Sequence, residues 1–304
     1  SAKAPDAVAA ASCVIGGTAW LFSRPEMIGA LDYLFIDEAG QVPLANAVAA
    51  GMSARNLILM GDQMQLAQPT QGEHPGESGK SCLAYLLEDR AVIPDELGIF
   101  LGTSFRMHPD VCRLISESFY EGRLGSHTLT AGNHVTLPAD APITTGHGVA
   151  FLPVEHVGNT QGSDEEVAAI VGLVASLLQG TVTVHGNASR PMTLDDILIV
   201  APFNLQVRAL RARLGDAARI GSVDKFQGQE APVVIVSMCA STLDDSPRGP
   251  QFLLSPNRLN VAISRAQALA IVVGSSTLGD VRVRSVEEMQ LVSRWCRIEQ
   301  LAEV

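Results

Sequence analysis

The chain has 304 residues, 47% of them hydrophobic, and a formal net charge of −11. That length fits two domains of roughly 150 residues, and the acidity excludes a protein that coats nucleic acid non-specifically, although not a local basic channel. No uninterrupted run of ~18 apolar residues offers a membrane span, and five scattered cysteines (Cys13, Cys82, Cys112, Cys239, Cys296) without C-x-x-C spacing predict reduced core thiols, no structural zinc and a cytoplasmic protein.

In chain order, the predicted strands are CVIGGT (13–18), YLFID (33–37), NLILMG (56–61), IFLGTS (99–104), VAFLPV (149–154), ILIVAP (197–202), PVVIVSM (232–238) and LAIVVG (269–274). The first lies in an apolar stretch, 7–22, which Gly16-Gly17 breaks as a membrane span and which, with only Lys3 before it and Asp6 intruding, does not read as a signal peptide. Between the strands fall helical patterns with apolar residues three and four apart: SCLAYLLE, PDVCRLISESFY, DEEVAAIVGLVASLL and NLQVRALRARL. Residues 125–148 and 241–257, rich in turn formers, read as long loops. Strands alternating with helices predict an α/β fold with parallel sheets, which explains the continuous apolar runs. A boundary near 95–98 divides the chain into domains 1–97 and 98–304. Several strands end in reactive groups, notably Asp37-Glu38, Gly61-Asp62 and Ser104-Phe105-Arg106, and open α/β sheets bind ligands at the carboxyl ends of their strands.

The stretch GEHPGESGKS (72–81) ends like a phosphate-binding loop. Its first glycine position, however, is His74 followed by Pro75, and LAQPTQ before it is no buried strand. The plainer reading is a solvated loop opening a helix. LFIDEAGQ (34–41) is a hydrophobic strand ending in two carboxylates, the pattern by which P-loop NTPases hold Mg²⁺ and position water. LILMGDQMQL follows, then SFRMHP (104–109), SVDKFQGQE (222–230) and RLNVAISRA (258–266).

These five segments, in this order over residues 34–274, resemble motifs II to VI of superfamily 1B helicases, the branch containing the nonsense-mediated-decay helicase and the Okazaki-fragment nuclease-helicase. The resemblance is strongest to bacterial members with a RecB-like nuclease domain upstream. It implies RecA-like P-loop NTPase folds, ATP and Mg²⁺ as cofactors, and 5′-to-3′ movement on single-stranded nucleic acid, DNA favoured over RNA. Carried over by position, Asp37 resembles the Mg²⁺ ligand, Glu38 the base for the attacking water and Gln65 the γ-phosphate sensor. Arg106 and Arg265 resemble the two arginines that reach the γ-phosphate, where a fixed, always-charged fork is needed. Glu230 resembles the acid that contacts ribose, with Gly228 admitting the backbone. Thr18, Gln68, Asn204, Gln206 and Ser222 fall at strand-contacting positions.

Two departures are visible. Ala67-Gln68-Pro69 replaces a frequent Leu-Pro-Pro, and Gln267 stands where Lys or Arg is frequent, neither expected to touch the phosphate chemistry. The family's P-loop lies upstream of the Asp-Glu strand, so GESGKS is expected to be a coincidence. The chain then reads as the back of one RecA-like domain, truncated at its N-terminus, plus a complete second one. On that reading it is inactive alone for lack of a P-loop, and its truncated first domain is expected to be weakly ordered or to self-associate. Two other classes remain open: a non-hydrolysing interaction module derived from a helicase, and a small-substrate kinase using Lys80.

Overall fold

The computed structural model describes residues 14–66, 75–88, 90–244 and 246–302. The chain divides into two compact units, one running to Gly98 and the other beginning at Ile99.

In the first unit, α1 (Ala19–Phe22) precedes β1 (Leu31–Ile36), which crosses through α2 (Leu44–Gly51) to the parallel strand β2 (Ala54–Leu59), with Leu31 beside Ala54 and Ile36 beside Leu59. The expected strand at CVIGGT does not form. Residues 14–18 carry no regular structure, Cys13 lies outside the described residues, and helix begins at Ala19. A small core gathers Phe22, Met27, Leu34 and Ala50, and another gathers Ala39, Ala47, Cys82, Leu83 and Leu87. The latter includes α3 (Cys82–Leu87), started by the Ser81 hydroxyl, which accepts from the Ala84 N–H. The opposite face of β1 is open, with Tyr33 58% and Phe35 59% exposed.

In the second unit, β3 (Thr103–Ser104) leads to α4 (Pro109–Phe119), whose Pro109 occupies the first helical turn, where its missing N–H costs nothing. Short strands β4 (Gly125–Ser126) and β5 (His134–Thr136) occupy the stretch expected as loop, and β6 (Gly148–Pro153) follows. Next comes α5 (Asp164–Leu177), capped by the Ser163 hydroxyl and opened by Asp164, Glu165 and Glu166, which suit the positive helix N-terminus. Then follow β7 (Thr181–Thr183), β8 (Arg190–Pro191), β9 (Ile197–Val200), α6 (Asn204–Leu214), β10 (Arg219–Gly221), β11 (Ala231–Ser237), α7 (Pro250–Leu253), α8 (Pro256–Ile263), β12 (Ala266–Gly274) and α9 (Val286–Ala302). The main sheet runs β10-β9-β11-β12-β6, with every neighbouring pair parallel. Strands β9, β11 and β12 are buried along their whole length, as central strands covered on both faces must be. Each fully buried Val, Ile or Leu side chain adds about 1.5–3 kcal/mol, so this sheet is the stable centre of the unit. At its β6 edge, Trp295 of α9 meets Phe151 edge-to-face, with ring centres 5.9 Å apart. Among the described residues, no helix is long and apolar enough to cross a membrane.

Candidate functional site

In the first unit the Asp-Glu turn and the Gly-Asp-Gln turn pack back to back. Asp37 and Glu38 leave the end of β1 exposed, and Glu38 adopts a left-handed conformation with φ 51°. The Glu38 N–H donates to Asp37 Oδ1 at 2.9 Å, and Gln41 Nε2 donates to Glu38 Oε2 at 3.2 Å. The Ala39 N–H donates to the Met60 carbonyl at 2.8 Å, joining this turn to the end of β2. Only glycine fits where the turns meet: a Cβ on Gly40 would lie 2.5 Å from the Asp62 carbonyl oxygen, and one on Gly61 2.7 Å from the Ala39 nitrogen. Asp62 in turn accepts from Gln65 Nε2 at 3.1 Å and from the Met64 N–H at 2.8 Å. Asp37, Glu38 and Gln65 therefore belong to one compact structure, although they are far apart in sequence.

In the second unit three distant segments meet on Glu230. Arg106 Nε lies 2.5 Å from Glu230 Oε2 and Gln267 Nε2 donates to Oε1 at 2.8 Å, while Arg106 Nη1 reaches the Ser264 carbonyl at 3.3 Å. Partial burial pushes the Glu230 carboxyl up, but the hydrogen bond and charge of Arg106, with the Gln267 amide, outweigh it and hold the carboxyl below its usual range. Gln267 thus touches the carboxylate assigned to ribose, at the oxygen that Arg106 Nε does not take. Buried Asn133, which the sequence reading missed, donates to the backbone carbonyls of Arg106 (3.3 Å) and Gln267 (3.0 Å) and fixes both segments. Arg265 is 5% exposed, and its carbonyl accepts from the Ala231 N–H at the start of β11. The cluster sits at the amino ends of β11 and β12, opposite to the carboxyl-end placement that held for Asp37-Glu38. Phe105, which the sequence placed at this strand end without giving it a role, is 60% exposed and stacks on His127 with ring centres 4.4 Å apart, immediately before Arg106. Gly228 has φ +75°, with open space where a side chain would point.

The strand-contact candidates divide. Thr18 is exposed, and its hydroxyl does not cap α1. Asn204 is exposed at the start of α6, and Ser222 is half-buried just beyond β10. Gln68 lies outside the described residues. Gln206 is a correction: it is fully buried, accepting from the Ser163 N–H at 2.9 Å and donating to Ser237 Oγ at 2.9 Å, so it fastens α6 to the sheet and faces no strand. Its signal was available in the sequence, since Gln206 lies one turn from Leu210 and beside Val207 on the apolar face.

Gln206 belongs to a buried polar network beneath the carboxyl end of β11. Ser237 Oγ donates to Glu166 Oε2 at 2.6 Å and the Cys239 N–H donates to Oε1 at 2.9 Å. His156 lies between Glu166 (Nε2, 3.1 Å) and Ser241 (Nδ1, 2.8 Å). Burial pushes the Glu166 carboxyl up, and the hydrogen bond to Glu166 raises His156.

GESGKS forms turns that lead into a short helix. Residues 75–80 form turns, Lys80 Nζ lies 2.6 Å from Glu77 Oε1, and Ser81 pairs with Pro43 and caps α3.

A family model described as an AAA domain matches residues 80–277. The DNA-binding protein SMUBP-2 of Mesocricetus auratus is 30% identical over 257 residues, 82% of this chain and 25% of that protein. The Regulator of nonsense transcripts 1 homolog of Drosophila melanogaster is 30% identical over 259 residues, 80% of this chain and 20% of that protein. The chain thus spans about a quarter or less of these two relatives. Among solved structures, the Arterivirus nonstructural protein 10 helicase aligns over 79% of this chain and 38% of that one at 16% identity, with a TM-score of 0.39.

Proposed function

Because the chain belongs to the AAA-domain family of superfamily 1 helicases, with a RecA-like fold, we propose that it is the motor region of an ATP-dependent 5′-to-3′ translocase on single strands, DNA preferred to RNA. The observation that carries the reading is the meeting of three segments distant in sequence: Arg106 of SFRMHP bonds Glu230 of SVDKFQGQE and the Ser264 carbonyl of RLNVAISRA, and Gln267, next after that segment, bonds Glu230 as well. On this reading residues 1–97 belong to one RecA-like domain and 98–304 to a second. The Mesocricetus auratus relative is by name a DNA-binding protein and the Drosophila melanogaster relative a regulator of transcripts, so the preference rests on the likeness to nuclease-fused bacterial members.

The donor set fits the cofactors. Asp37 offers an exposed carboxylate, the hard oxygen ligand that Mg²⁺ takes. When bound, Mg²⁺ supplies neutralisation of charge on the transferring phosphoryl group. Glu38, held by Gln41, takes the proton from the attacking water. Arg106 and Arg265 stabilise charge on the phosphoryl oxygens. A phosphate and the Glu230 carboxylate offer Arg106 the same kind of partner, so nucleotide binding here is an exchange that frees Glu230 for a ribose hydroxyl. Phe105 offers its exposed face to a nucleobase.

The test is ATP hydrolysis by this 304-residue chain and by a longer chain in which a P-loop segment is joined to its N-terminus, with and without single-stranded DNA or RNA. Turnover in the longer chain, stimulated by DNA and cut about 10²–10⁴-fold by Glu38→Gln, is the expected result. Strand binding without turnover at either length would replace the motor with an interaction module. Turnover in the short chain would return Lys80 to consideration.

A further inference from the structure

One cluster in the second unit is explained by neither the fold nor the nucleotide chemistry. The guanidinium carbons of Arg248 and Arg258 lie 4.1 Å and 4.5 Å from the ring centre of Phe252, which also packs on Phe203 at 5.3 Å. Arg258 Nη1 lies 3.5 Å from Asp224, so one of the two charges has a partner. Arg248 is exposed and makes no hydrogen bond or ion pair among the described residues. Two like charges on one half-buried ring repel each other, in a chain whose net charge is −11. Packing alone would be served as well by leucine or methionine at both positions.

Three neighbours locate the cluster. Phe203 immediately precedes Asn204 at the start of α6, beyond the carboxyl end of β9. Asp224 lies two residues after Ser222, beyond the carboxyl end of β10, the neighbour of β9 in the sheet. Phe252 and Arg258 come from α7 and α8, which follow the carboxyl end of β11. The pair of arginines therefore stands at the same end of the sheet as the two exposed or half-buried strand-contact candidates. A guanidinium lying over a ring makes a cation–π contact without spending an N–H donor on a hydrogen bond, so the Arg248 donors, and those of Arg258 not turned to Asp224, are available to a phosphate.

We propose that Arg248 and Arg258, stacked on Phe252, bind the phosphodiester backbone of the single strand. The proposal rests on the strand-translocase reading but concerns residues that the helicase motifs leave without a strand-contacting role. The contact is with phosphate, so it carries no base preference and strengthens binding to DNA and RNA alike.

The test is fluorescence anisotropy of labelled oligothymidine and oligouridine with this chain, across a salt series. Arg248→Gln is expected to weaken binding to both strands and to lower the slope of log affinity against log salt by about 0.7, the loss of one phosphate contact on a single strand. Arg213→Gln, which removes an equal charge at the far end of α6 from Asn204, is expected to leave the slope unchanged. An unchanged slope for Arg248→Gln overturns the proposal, as does an equal drop for both variants, which would mark a net-charge effect. A loss confined to one kind of strand overturns it too, because phosphate is common to both. If the unsubstituted chain binds neither strand, the translocase reading falls and this site falls with it.

Discussion

At the amino ends of β11 and β12, Glu230 is held by Arg106 and Gln267, with Asn133 pinning both segments from behind. At the carboxyl ends of β9 and β10, Asn204 is exposed, Ser222 is half-buried and Arg248, among the described residues, points its charge at nothing but a ring. The first end is complete before any ligand arrives, so a ligand there must displace an existing partner. The second is open, so a ligand there simply adds contacts. Specific chemistry suits the first arrangement and repeated grip and release suits the second, because exchange demands a well-matched competitor whereas addition is cheap to reverse.

The largest effect that would test this division is on turnover. Arg265→Ala is expected to lower the hydrolysis rate of the P-loop-bearing longer chain about 10³–10⁵-fold, with strand affinity in the absence of nucleotide unchanged; a parallel loss of strand affinity in an anisotropy assay would break the comparison. Next comes stability. Glu166→Ala is expected to cost about 3–5 kcal/mol in urea unfolding, because it strands His156 in the interior. The pH dependence has a definite sign. Glu166 and His156 are both raised on folding, so the folded state binds more protons than the unfolded one. The Glu166 contribution is complete below the ordinary carboxylate range and the His156 contribution below about 6.5, and each is lost as pH rises through its raised value. Urea midpoints should therefore fall with rising pH, and Glu166→Gln should flatten that fall. A smaller effect belongs to the open end. Asn204→Ala with Ser222→Ala is expected to weaken strand binding by about 0.5–1.5 kcal/mol for each lost hydrogen bond, measured by anisotropy, with unstimulated hydrolysis untouched. Smallest of all is Lys80→Ala, expected to leave nucleotide binding unchanged in a fluorescent-nucleotide titration, since its ammonium faces Glu77.

Some of this was readable from the residues alone. PVVIVSM and LAIVVG are uninterrupted apolar runs, and central parallel strands leave no other signature. The carboxylate pair after LFI and the helix beginning at Pro109 were similarly plain. Strand β10 was not, because Arg219–Gly221 is three residues long and borrows its place from β9. CVIGGT read as a strand by composition, but a strand exists only through a partner, and residues 14–18 have none among the described residues. The Glu230–Gln267 contact depends on the pairing of Ala231 with Ala266, a register that no local pattern encodes. The family resemblance placed Gln206 at the strand, while its position one turn before Leu210 was the better guide.

The meeting of Gly40 and Gly61 has a mechanical meaning. Where two turns touch through side chains, rotamers can yield and a small push is absorbed before it travels. Here backbone lies on backbone, with the Asp62 carbonyl and the Ala39 nitrogen in the space that side chains would fill. The joint has no slack, like meshed gears without backlash. A shift of the Asp62 turn, which holds Gln65, therefore presses directly on the turn that carries Glu38.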